Sequence, residues 1–166
     1  LQKIGCAFAA NDQNVIEGIN IFELDSNFNK GTAASGITYY TDNAIIFSSA
    51  RKGNVVLDEK KEVDYLTTDF YISDNEGNGW ETPQHLVGPI NSNQNEGGGA
   101  MGVDRTTFYF TRWSTEDNSD CNIYVSKMFN RRWLEPMKIE NINMVGSRTM
   151  QPSLTLDETR LYFVSD

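Results

Sequence analysis

The stretch Asp69-Phe70-Tyr71-Ile72-Ser73 decides the fold, because it returns later in the chain as Asn122-Ile123-Tyr124-Val125-Ser126. The two copies are 53 residues apart (122 − 69). A tryptophan and a proline follow each copy at the same offset, namely Trp80 and Pro83, then Trp133 and Pro136. Markers that recur in one register indicate an internal repeat, and repeats of this length are typical of stacked architectures.

A second series of residues has the same period. Asp104 with Phe108–Thr111 returns as Asp157 with Leu161–Val164, again 53 residues later (157 − 104). Two earlier segments are less regular copies of these strands: Asn20–Glu23 and Ala44–Ser48. The period therefore extends over the whole chain.

The local pattern in each copy is that of β-structure, since Tyr, Phe, Ile and Val cluster in short runs bounded by Gly, Asn, Asp and Pro. Four strand-like pieces in a repeat of about 40 to 50 residues are typical of a propeller blade, whereas solenoid repeats of that length are mostly helical. The sequence therefore predicts an all-β fold, a partial β-propeller of about three blades with four antiparallel strands each.

The predicted blades follow from the repeat. Residues 1–34 form a partial blade, 35–96 a blade with an inserted loop, 97–149 a third blade, and 150–166 the start of the next. Because both ends cut through blades, we expect the chain to be a fragment of a longer polypeptide or to be closed by a partner.

Alternation along the strands predicts which side chains join the blades. Phe108 and Phe110 share one face of their strand and Tyr109 takes the other, since successive strand residues point to opposite faces. We expect both faces to be covered by neighbouring sheets. Trp80 and Trp133 are expected to seal the outer strand of each blade against the adjacent blade.

An insertion interrupts the second copy. Phe47 to Asp69 is 22 residues (69 − 47), whereas Phe110 to Asn122 is 12 (122 − 110). The extra residues fall in the polar stretch 51–64, which we expect to form a long hairpin loop. Loops on rigid scaffolds carry most recognition. This loop and the loop 114–119 predict a set of partner-binding residues: Asn54, Asp58, Lys60, Lys61, Asp64, Thr115, Glu116 and Asp117.

The net charge of the chain indicates which classes of partner it can bind. It has 14 Lys and Arg against 23 Asp and Glu, a formal net charge of -9. This excess repels a phosphate backbone and an anionic membrane surface, so we expect no nucleic-acid partner. No run of about 18 apolar residues occurs, which predicts no direct membrane span. The acidic excess either keeps the domain soluble or forms an acidic docking face.

Few residues point to catalysis or to a cofactor. The single histidine, His85, has no nucleophile near it in sequence, and there is no Gly-x-Ser-x-Gly elbow. Gly97–Gly99 lacks the lysine of a phosphate loop and predicts a tight crossing between blades. Asp74–Gly79, and Asp117 with Asp120, are either calcium loops or β-turns, and we expect turns. The sequence thus predicts a protein that is not an enzyme and holds no cofactor or metal.

The strands near the end of the chain resemble a known repeat. Gln151–Asp157 followed by Leu161–Ser165 resembles the signature of WD40-like repeats of the TolB type, called PD40, in which a Pro-Ser-hydrophobic-Ser-Pro-Asp-Gly run precedes a Leu-Tyr-Phe strand. Further segments are similar to the propeller of periplasmic OmpA-like proteins, including the PorE type of the type IX secretion system: Asn95–Gly97, Asp120–Ser126, Trp133–Pro136 and Ile142–Asn143. The resemblance covers nearly the whole chain.

The resemblance implies a non-catalytic scaffold that binds protein partners of the cell envelope, in the periplasm and associated with the outer membrane. Members of the OmpA-like branch commonly carry a peptidoglycan-binding domain after the propeller. Peptidoglycan would therefore be bound only through a flanking domain that this sequence lacks. The alternative is the propeller of a hydrolase, either a peptidase or a glycosidase, whose catalytic domain is absent from this chain.

The chain departs from the family pattern at two places. The usual Asp-Gly turn is Asp104-Arg105 in one copy and Asp157-Glu158 in the next, so the turn has to form without the freedom of glycine. Members of this branch often have a cysteine after the Phe-Thr strand, and it pairs with one before the Asp-Ile-Tyr strand, where this chain has Cys121. Trp113 occupies the neighbourhood of the first cysteine, so Cys121 lacks the partner that the resemblance implies. A bridge between Cys6 and Cys121 stays open as a hypothesis.

Overall fold

The structure is a computed structural model that describes residues 24, 26, 28, 33–51, 67–77, 79–116 and 120–166. Within these residues the chain forms eleven β-strands and no helix, and every strand pair is antiparallel. The prediction of an all-β fold is thereby confirmed. Nothing in the described part of the chain is a helix with the length and apolarity needed to cross a bilayer.

The first sheet is a meander in which each strand pairs with the next. Its four strands are β1 (Ala33–Thr41), β2 (Ala44–Ala50), β3 (Thr68–Asp74) and β4 (Gln84–His85). β2 and β3 pair over their whole lengths. The predicted insertion therefore connects two adjacent antiparallel strands, as a hairpin loop does, although residues 52–66 lie outside the described part of the chain.

The second sheet repeats this arrangement and the third sheet has two strands. In the second sheet β5, β6 and β7 pair in sequence, and both short strands after β7 pair with it. Its strands are β5 (Asn95–Met101), β6 (Thr107–Trp113), β7 (Asn122–Phe129), β8 (Arg132–Trp133) and β9 (Met137–Lys138). The third sheet consists of β10 (Thr149–Leu154) and β11 (Leu161–Ser165). The described sheets do not close on themselves.

Hydrogen bonds recur with the period of the sequence. Ser73 Oγ donates to the carbonyl oxygen of Glu81 at 2.7 Å, and Ser126 Oγ donates to that of Leu134 at 2.6 Å. Donors and acceptors are both offset by 53 residues (126 − 73 and 134 − 81). Each serine of a third strand thus fastens the segment that leads to the outer strand. The sequence repeat is also a repeat of tertiary contacts.

In the two hairpin turns that lack glycine, another residue adopts the left-handed backbone conformation that glycine usually takes. Arg105 and Glu158 have φ values of 56° and 55°, in the left-handed region. Asp104 Oδ1 accepts hydrogen bonds from the backbone N–H groups of Thr106 at 2.8 Å and Thr107 at 2.9 Å. Burial raises the pKa of Asp104, but these bonds and those from the two threonine hydroxyls outweigh it and lower the pKa to about 2. The aspartate side chain therefore stabilises the turn.

Aromatic side chains join the first two sheets. Phe70 of β3 packs edge-on against Phe108 and Phe110 of β6, with ring centroids 5.0 and 5.5 Å apart. All three side chains are fully buried, whereas Tyr109 is only half-buried, so the predicted alternation is confirmed. Trp133 is buried beside Phe108, in the same cluster as residues of the first sheet. Its predicted place between neighbouring sheets is also confirmed.

The first strands of the three sheets lie next to one another, because β5 contacts both β1 and β10. A Cβ atom on Gly36 would lie 3.1 Å from the backbone nitrogen of Gly98, and one on Gly98 would lie 3.5 Å from the Cα of Gln151. Gly97–Gly99 lies inside β5, so the prediction of a crossing between blades is wrong for this segment. Because the glycines of this segment have no side chains, neighbouring strands can approach β5 closely.

Gly99 gives a first test of this packing. A Cβ atom there would overlap the ring of Phe108, which Phe70 and Trp133 hold in place. We expect Gly99→Ala to lower the free energy of unfolding by about 1 to 3 kcal/mol. The measurement is urea denaturation, with Gly97→Ala as the control because its added methyl would meet atoms no closer than 3.2 Å. An equal or smaller loss for Gly99→Ala would contradict the packing.

Candidate functional site

Most of the buried polar residues gather at one end of the sheets. We call this the polar end: it is where β3 and β5 begin and β6 ends, at Asp69, Glu96 and Arg112. The connection from β2 to β3 and the connection from β6 to β7 both leave from this end. The two loops that the sequence singles out for binding partners therefore start from the same edge of neighbouring sheets.

A buried ion pair is the centre of the polar end. Glu96 of β5 and Arg112 of β6 are directly opposite in the strand register, and Arg112 Nε lies 2.8 Å from Glu96 Oε1. Glu96 is fully buried and the side chain of Arg112 is 10% exposed. Ser92 Oγ also donates to Glu96 Oε1, at 2.5 Å. The carboxylate thus accepts bonds from a strand and from the segment that precedes β5.

Arg112 fastens the segment that joins the first two sheets. Its Nη2 donates to the carbonyl oxygens of Pro89 at 3.0 Å and Ile90 at 3.1 Å. Its guanidinium lies over the rings of Phe110 and Tyr124, 5.5 and 5.0 Å from their centroids. One side chain therefore connects three parts of the chain: β5, the linker between sheets, and the aromatic face of β6 and β7.

Burial controls the protonation of Glu96. Removal from water raises the pKa of its carboxyl to about 7, although the bonds from Ser92 and the charge of Arg112 both act to lower it. The nearby charge of Asp69 adds to the increase. A carboxyl group in this position changes its charge close to neutral pH.

The raised pKa predicts a dependence of stability on pH. A carboxyl whose pKa is higher in the folded state stabilises the fold below about pH 4.5, and this contribution is lost as the pH rises through about 7. We expect the free energy of unfolding of the wild type to fall over this interval by up to about 3 kcal/mol more than that of Glu96→Gln. Denaturant titrations at several pH values give both curves, and parallel curves would contradict the assignment.

His85 is held by a buried carboxylate. His85 Nε2 lies 3.2 Å from Asp69 Oδ2 and 3.1 Å from Asn91 Nδ2. Both protons of Asn91 Nδ2 are already used, because it donates to the carbonyl oxygens of Phe70 at 3.0 Å and Leu86 at 2.9 Å. His85 Nε2 therefore carries the hydrogen and donates to Asp69. The other oxygen of Asp69 is buried without a hydrogen-bond partner in the described part of the chain.

Asn91 and Asn143 are equivalent clamps in the first two sheets. The side-chain oxygen of Asn143 accepts from the backbone N–H of Ile123 at 2.8 Å, and its nitrogen donates to the carbonyl oxygens of Ile123 and Ile139 at 2.8 and 2.9 Å. Asn91 makes the same three bonds with Phe70 and Leu86. Each amide thus pairs a backbone N–H of the third strand and adds a second donor to the carbonyl oxygen of the same residue, which also accepts from the backbone N–H of Leu86 or Ile139.

Asn143→Ala tests the clamp. The substitution leaves the buried N–H of Ile123 without the bond that it has in the wild type, and leaves its carbonyl oxygen with the backbone N–H of Ile139 as donor. We expect the free energy of unfolding to fall by about 1 to 3 kcal/mol, the cost of unpaired buried polar groups. The control is Asn141→Ala, which removes an exposed amide two residues away. Similar losses for both variants in urea denaturation would contradict the role of Asn143.

The structure describes only part of the predicted binding set. Thr115 and Glu116 are exposed, and the loop that carries them is held at Ser114, whose carbonyl oxygen accepts from Asn95 Nδ2 at 3.3 Å. The remaining members lie outside the described residues: Asn54, Asp58, Lys60, Lys61, Asp64 and Asp117. The two described residues are therefore exposed next to a residue that is hydrogen-bonded to β5.

The opposite end of the first sheet has an open cleft of about 520 Å³, lined among others by Tyr39, Asp42, Glu76 and Trp80. Asp42 is bound to Arg105 Nη2 of the next hairpin turn at 2.6 Å. The segment from Asp74 forms a turn, as predicted, since the carbonyl oxygen of Asp74 accepts from the N–H of Glu81 at 2.8 Å. No group of three or more potential metal ligands occurs among the described residues.

Cys121 is buried, and burial raises the pKa of its thiol. Cys6 lies outside the described residues, so the bridge between Cys6 and Cys121 stays a hypothesis. Trp113 packs over β5, where its ring lies 3.2 Å from the position of a Cβ on Gly97. The absence of a side chain at Gly97 leaves room for this ring.

The comparisons with known proteins returned no match: no family model fits the chain, and neither curated proteins nor solved structures are significantly similar to it.

Proposed function

We propose that this chain forms blades of a β-propeller that acts as a non-catalytic scaffold and binds other proteins through the loops of its polar end. The observation that carries the proposal is the repetition of one sheet design. Ser73 and Ser126 make the same bond, and Asn91 and Asn143 make the same clamp, in successive antiparallel sheets. Repeated sheets stacked face to face are the building units of propellers.

Two further features support the propeller arrangement. The first strands β1, β5 and β10 lie side by side, as the innermost strands of successive blades do. Phe70, Phe108 and Phe110 fill the space between the first two sheets from both sides. An X-ray structure of the chain would test the arrangement: we expect sheets arranged radially around one axis near these first strands, and a flat or sandwich-like stack would overturn the proposal.

The binding role rests on the stiffness of the polar end. Glu96, Arg112 and Asn91 tie the linker and the strand ends together, and the exposed residues Thr115 and Glu116 follow directly after β6 at this end. A rigid base reduces the entropy that a loop loses when it binds. The described polar side chains of this end bond to backbone groups and to one another, which agrees with a structural role and not with a reactive one.

The cell envelope is the proposed location. This part of the proposal follows from the resemblance to TolB-type repeats and to the propeller of OmpA-like proteins, carried by segments such as Gln151–Asp157 and Asp120–Ser126. It places the partners among periplasmic and outer-membrane proteins. Fractionation of the cells that make the protein tests the location, and recovery in the cytoplasm would overturn it.

Site-specific photo-crosslinking tests the binding surface. A photoreactive residue at Glu116 is expected to give one discrete adduct with an envelope protein, because this side chain is exposed at the polar end. The control is Val103, which is 63% exposed in a turn at the other end of the sheet. No adduct from Glu116, or the same adducts from both positions, would overturn the assignment of the surface.

The hydrolase alternative has a separate test. The chain is incubated with panels of peptides and glycans, and we expect no turnover. Specific turnover that Asp69→Asn or Glu96→Gln abolishes, while the fold is retained, would overturn the non-catalytic function.

A further inference from the structure

The hairpin of β7 and β8 carries a local charge opposite to that of the whole chain. Residues 121–134 contain three cations, Lys127, Arg131 and Arg132, and no Asp or Glu. The equivalent stretch one period earlier, 68–81, contains four Asp and Glu and no Lys or Arg. Because the whole chain has a net charge of -9, the second sheet has a basic hairpin in an acidic protein.

The end of this hairpin projects past the end of β6. The first residue of β6, Thr107, pairs with Lys127, so residues 129–132 lie beyond that pair. Phe129 and Arg132 form the last strand pair, and alternation places Lys127 on the same face as both. Phe129 is 65% exposed, and the three cations are exposed as well. We call this surface the basic tip: Lys127, Phe129, Arg131 and Arg132.

The exposure of the basic tip does not depend on which sheet follows it. Asp74 and Glu76 have the places of Lys127 and Phe129 one period earlier (127 − 74 and 129 − 76, both 53). Both acidic side chains are exposed, although the second sheet packs next to the first. A neighbouring sheet thus leaves side chains at these places in contact with water.

The three cations have no anionic partner in the described part of the chain, because none of the salt bridges there includes them. Acidic groups of the neighbouring hairpin turns, by contrast, are bonded. Asp42 binds Arg105 Nη2 at 2.6 Å, and Asp104 accepts from the backbone N–H of Thr106 at 2.8 Å. The positive charges of the tip are therefore available to an external anion.

Arg131 occupies a position that favours glycine. Asn130 and Arg131 have φ values of 49° and 61°, so both residues of the turn are left-handed. Two-residue hairpin turns of this kind are usually Asn-Gly, since glycine adopts a positive φ without strain. Arginine therefore strains the turn and adds a charge to it, which the folding of the hairpin does not require.

We propose that the basic tip binds the surface of an anionic lipid bilayer, with the ring of Phe129 in the interface and the three cations on lipid phosphates. Lys and Arg are attracted to anionic lipid, and aromatic side chains enter the boundary between head groups and acyl chains. Charges more than about 8 Å apart are largely screened at physiological ionic strength, so the net charge of the chain does not cancel this local attraction.

The size of the basic tip favours a bilayer over an acidic protein as the partner. A stable protein interface buries about 800 Å² on each partner, which requires an extended face. The tip has one apolar side chain, that of Phe129, and it lies at the end of a two-residue turn. A bilayer needs no such face, because each cation near an anionic surface adds its own attraction.

The basic tip lies opposite the polar end. Asn122 at the start of β7 pairs with Arg112 at the polar end, and β7 runs from there to the tip. The tip is therefore separate from the loops of the proposed function, so the two proposals can fail independently.

Co-sedimentation of the whole chain with lipid vesicles tests the proposal. At low ionic strength we expect binding to vesicles of equimolar phosphatidylglycerol and phosphatidylcholine, and none to vesicles of phosphatidylcholine alone. Phe129→Ala is expected to weaken binding about tenfold, and Arg132→Gln about fivefold. The control is Arg160→Gln, which removes an exposed cation outside the basic tip and is expected to leave binding unchanged.

Arg131→Gly separates binding from folding. Glycine relieves the strain of the turn, so this variant is expected to unfold at the same or a higher urea concentration than the wild type. It is nevertheless expected to bind the anionic vesicles about fivefold more weakly. Tip variants that bind as tightly as the wild type overturn the proposal. So does a wild type that stays in the supernatant, that binds both kinds of vesicle equally, or that binds polyglutamate and no vesicles.

Discussion

Arg112→Met is expected to lower the free energy of unfolding at pH 8 by about 3 to 5 kcal/mol, the cost of leaving one member of a buried ion pair alone. Methionine keeps most of the length of the side chain that packs on Phe110 and Tyr124. The loss therefore comes from charge and hydrogen bonding: Glu96 stays fully buried with Ser92 as its remaining hydrogen-bond donor, and the carbonyl oxygens of Pro89 and Ile90 lose the bonds from Nη2. Chemical denaturation of both proteins gives the difference.

The pH dependence and a double variant separate this explanation from a general packing defect. At pH 5 Glu96 is expected to be protonated, because its pKa is raised to about 7 even with Arg112 present, so the cost of Arg112→Met should be smaller. Adding Glu96→Leu to Arg112→Met is expected to recover most of the stability, since apolar residues often replace a buried ion pair without loss. A loss that is independent of pH, and that the second substitution does not reduce, would contradict this explanation.

Trp133→Ala is expected to have an effect of the same size, about 3 to 5 kcal/mol, because it removes a large buried side chain. The ring packs against Phe108, with centroids 5.9 Å apart, and its Cβ lies 3.5 Å from the position of a Cβ on Gly88. Gly88 follows β4, so the tryptophan connects the second sheet to the first. Urea denaturation measures the change.

The equivalent tryptophan serves as the matched control. Trp80 has the same place 53 residues earlier (133 − 80), but it is only half-buried and its ring contacts Phe28 at 5.8 Å. Trp80→Ala is therefore expected to cost less than Trp133→Ala. A loss below about 1 kcal/mol for Trp133→Ala would mean that this side chain does not join the sheets.

The repeat made most of the strands predictable. The residues of β3, β6, β7 and β11 were expected as strands because aromatic and β-branched residues cluster there at a constant period. Trp133 was expected between sheets for the same reason. Gly97–Gly99 was expected in a crossing and lies in β5, because a run of glycines has no side chains that reveal strand pairing.

The residues of the polar end were not predicted, although weak signals for two of them exist. Asn91 and Asn143 both follow an isoleucine and are separated by nearly one period (143 − 91 gives 52). An aligned comparison of the repeats would have shown them as a recurring amide. Glu96 and Arg112 are 16 residues apart in two different strands, and nothing in either strand by itself indicates that they meet.

By itself the sequence determined that the chain is all-β, where most strands lie and which aromatic residues face the core, because alternation and turn residues act over a few neighbouring positions. Only the tertiary structure decided that Glu96 binds Arg112 and that Asp69 orients His85. These features depend on strand register and on the stacking of sheets, which bring together residues that are distant in the chain. Burial then strengthens the electrostatic effects of these charged groups, and a local sequence pattern does not reveal which groups become buried.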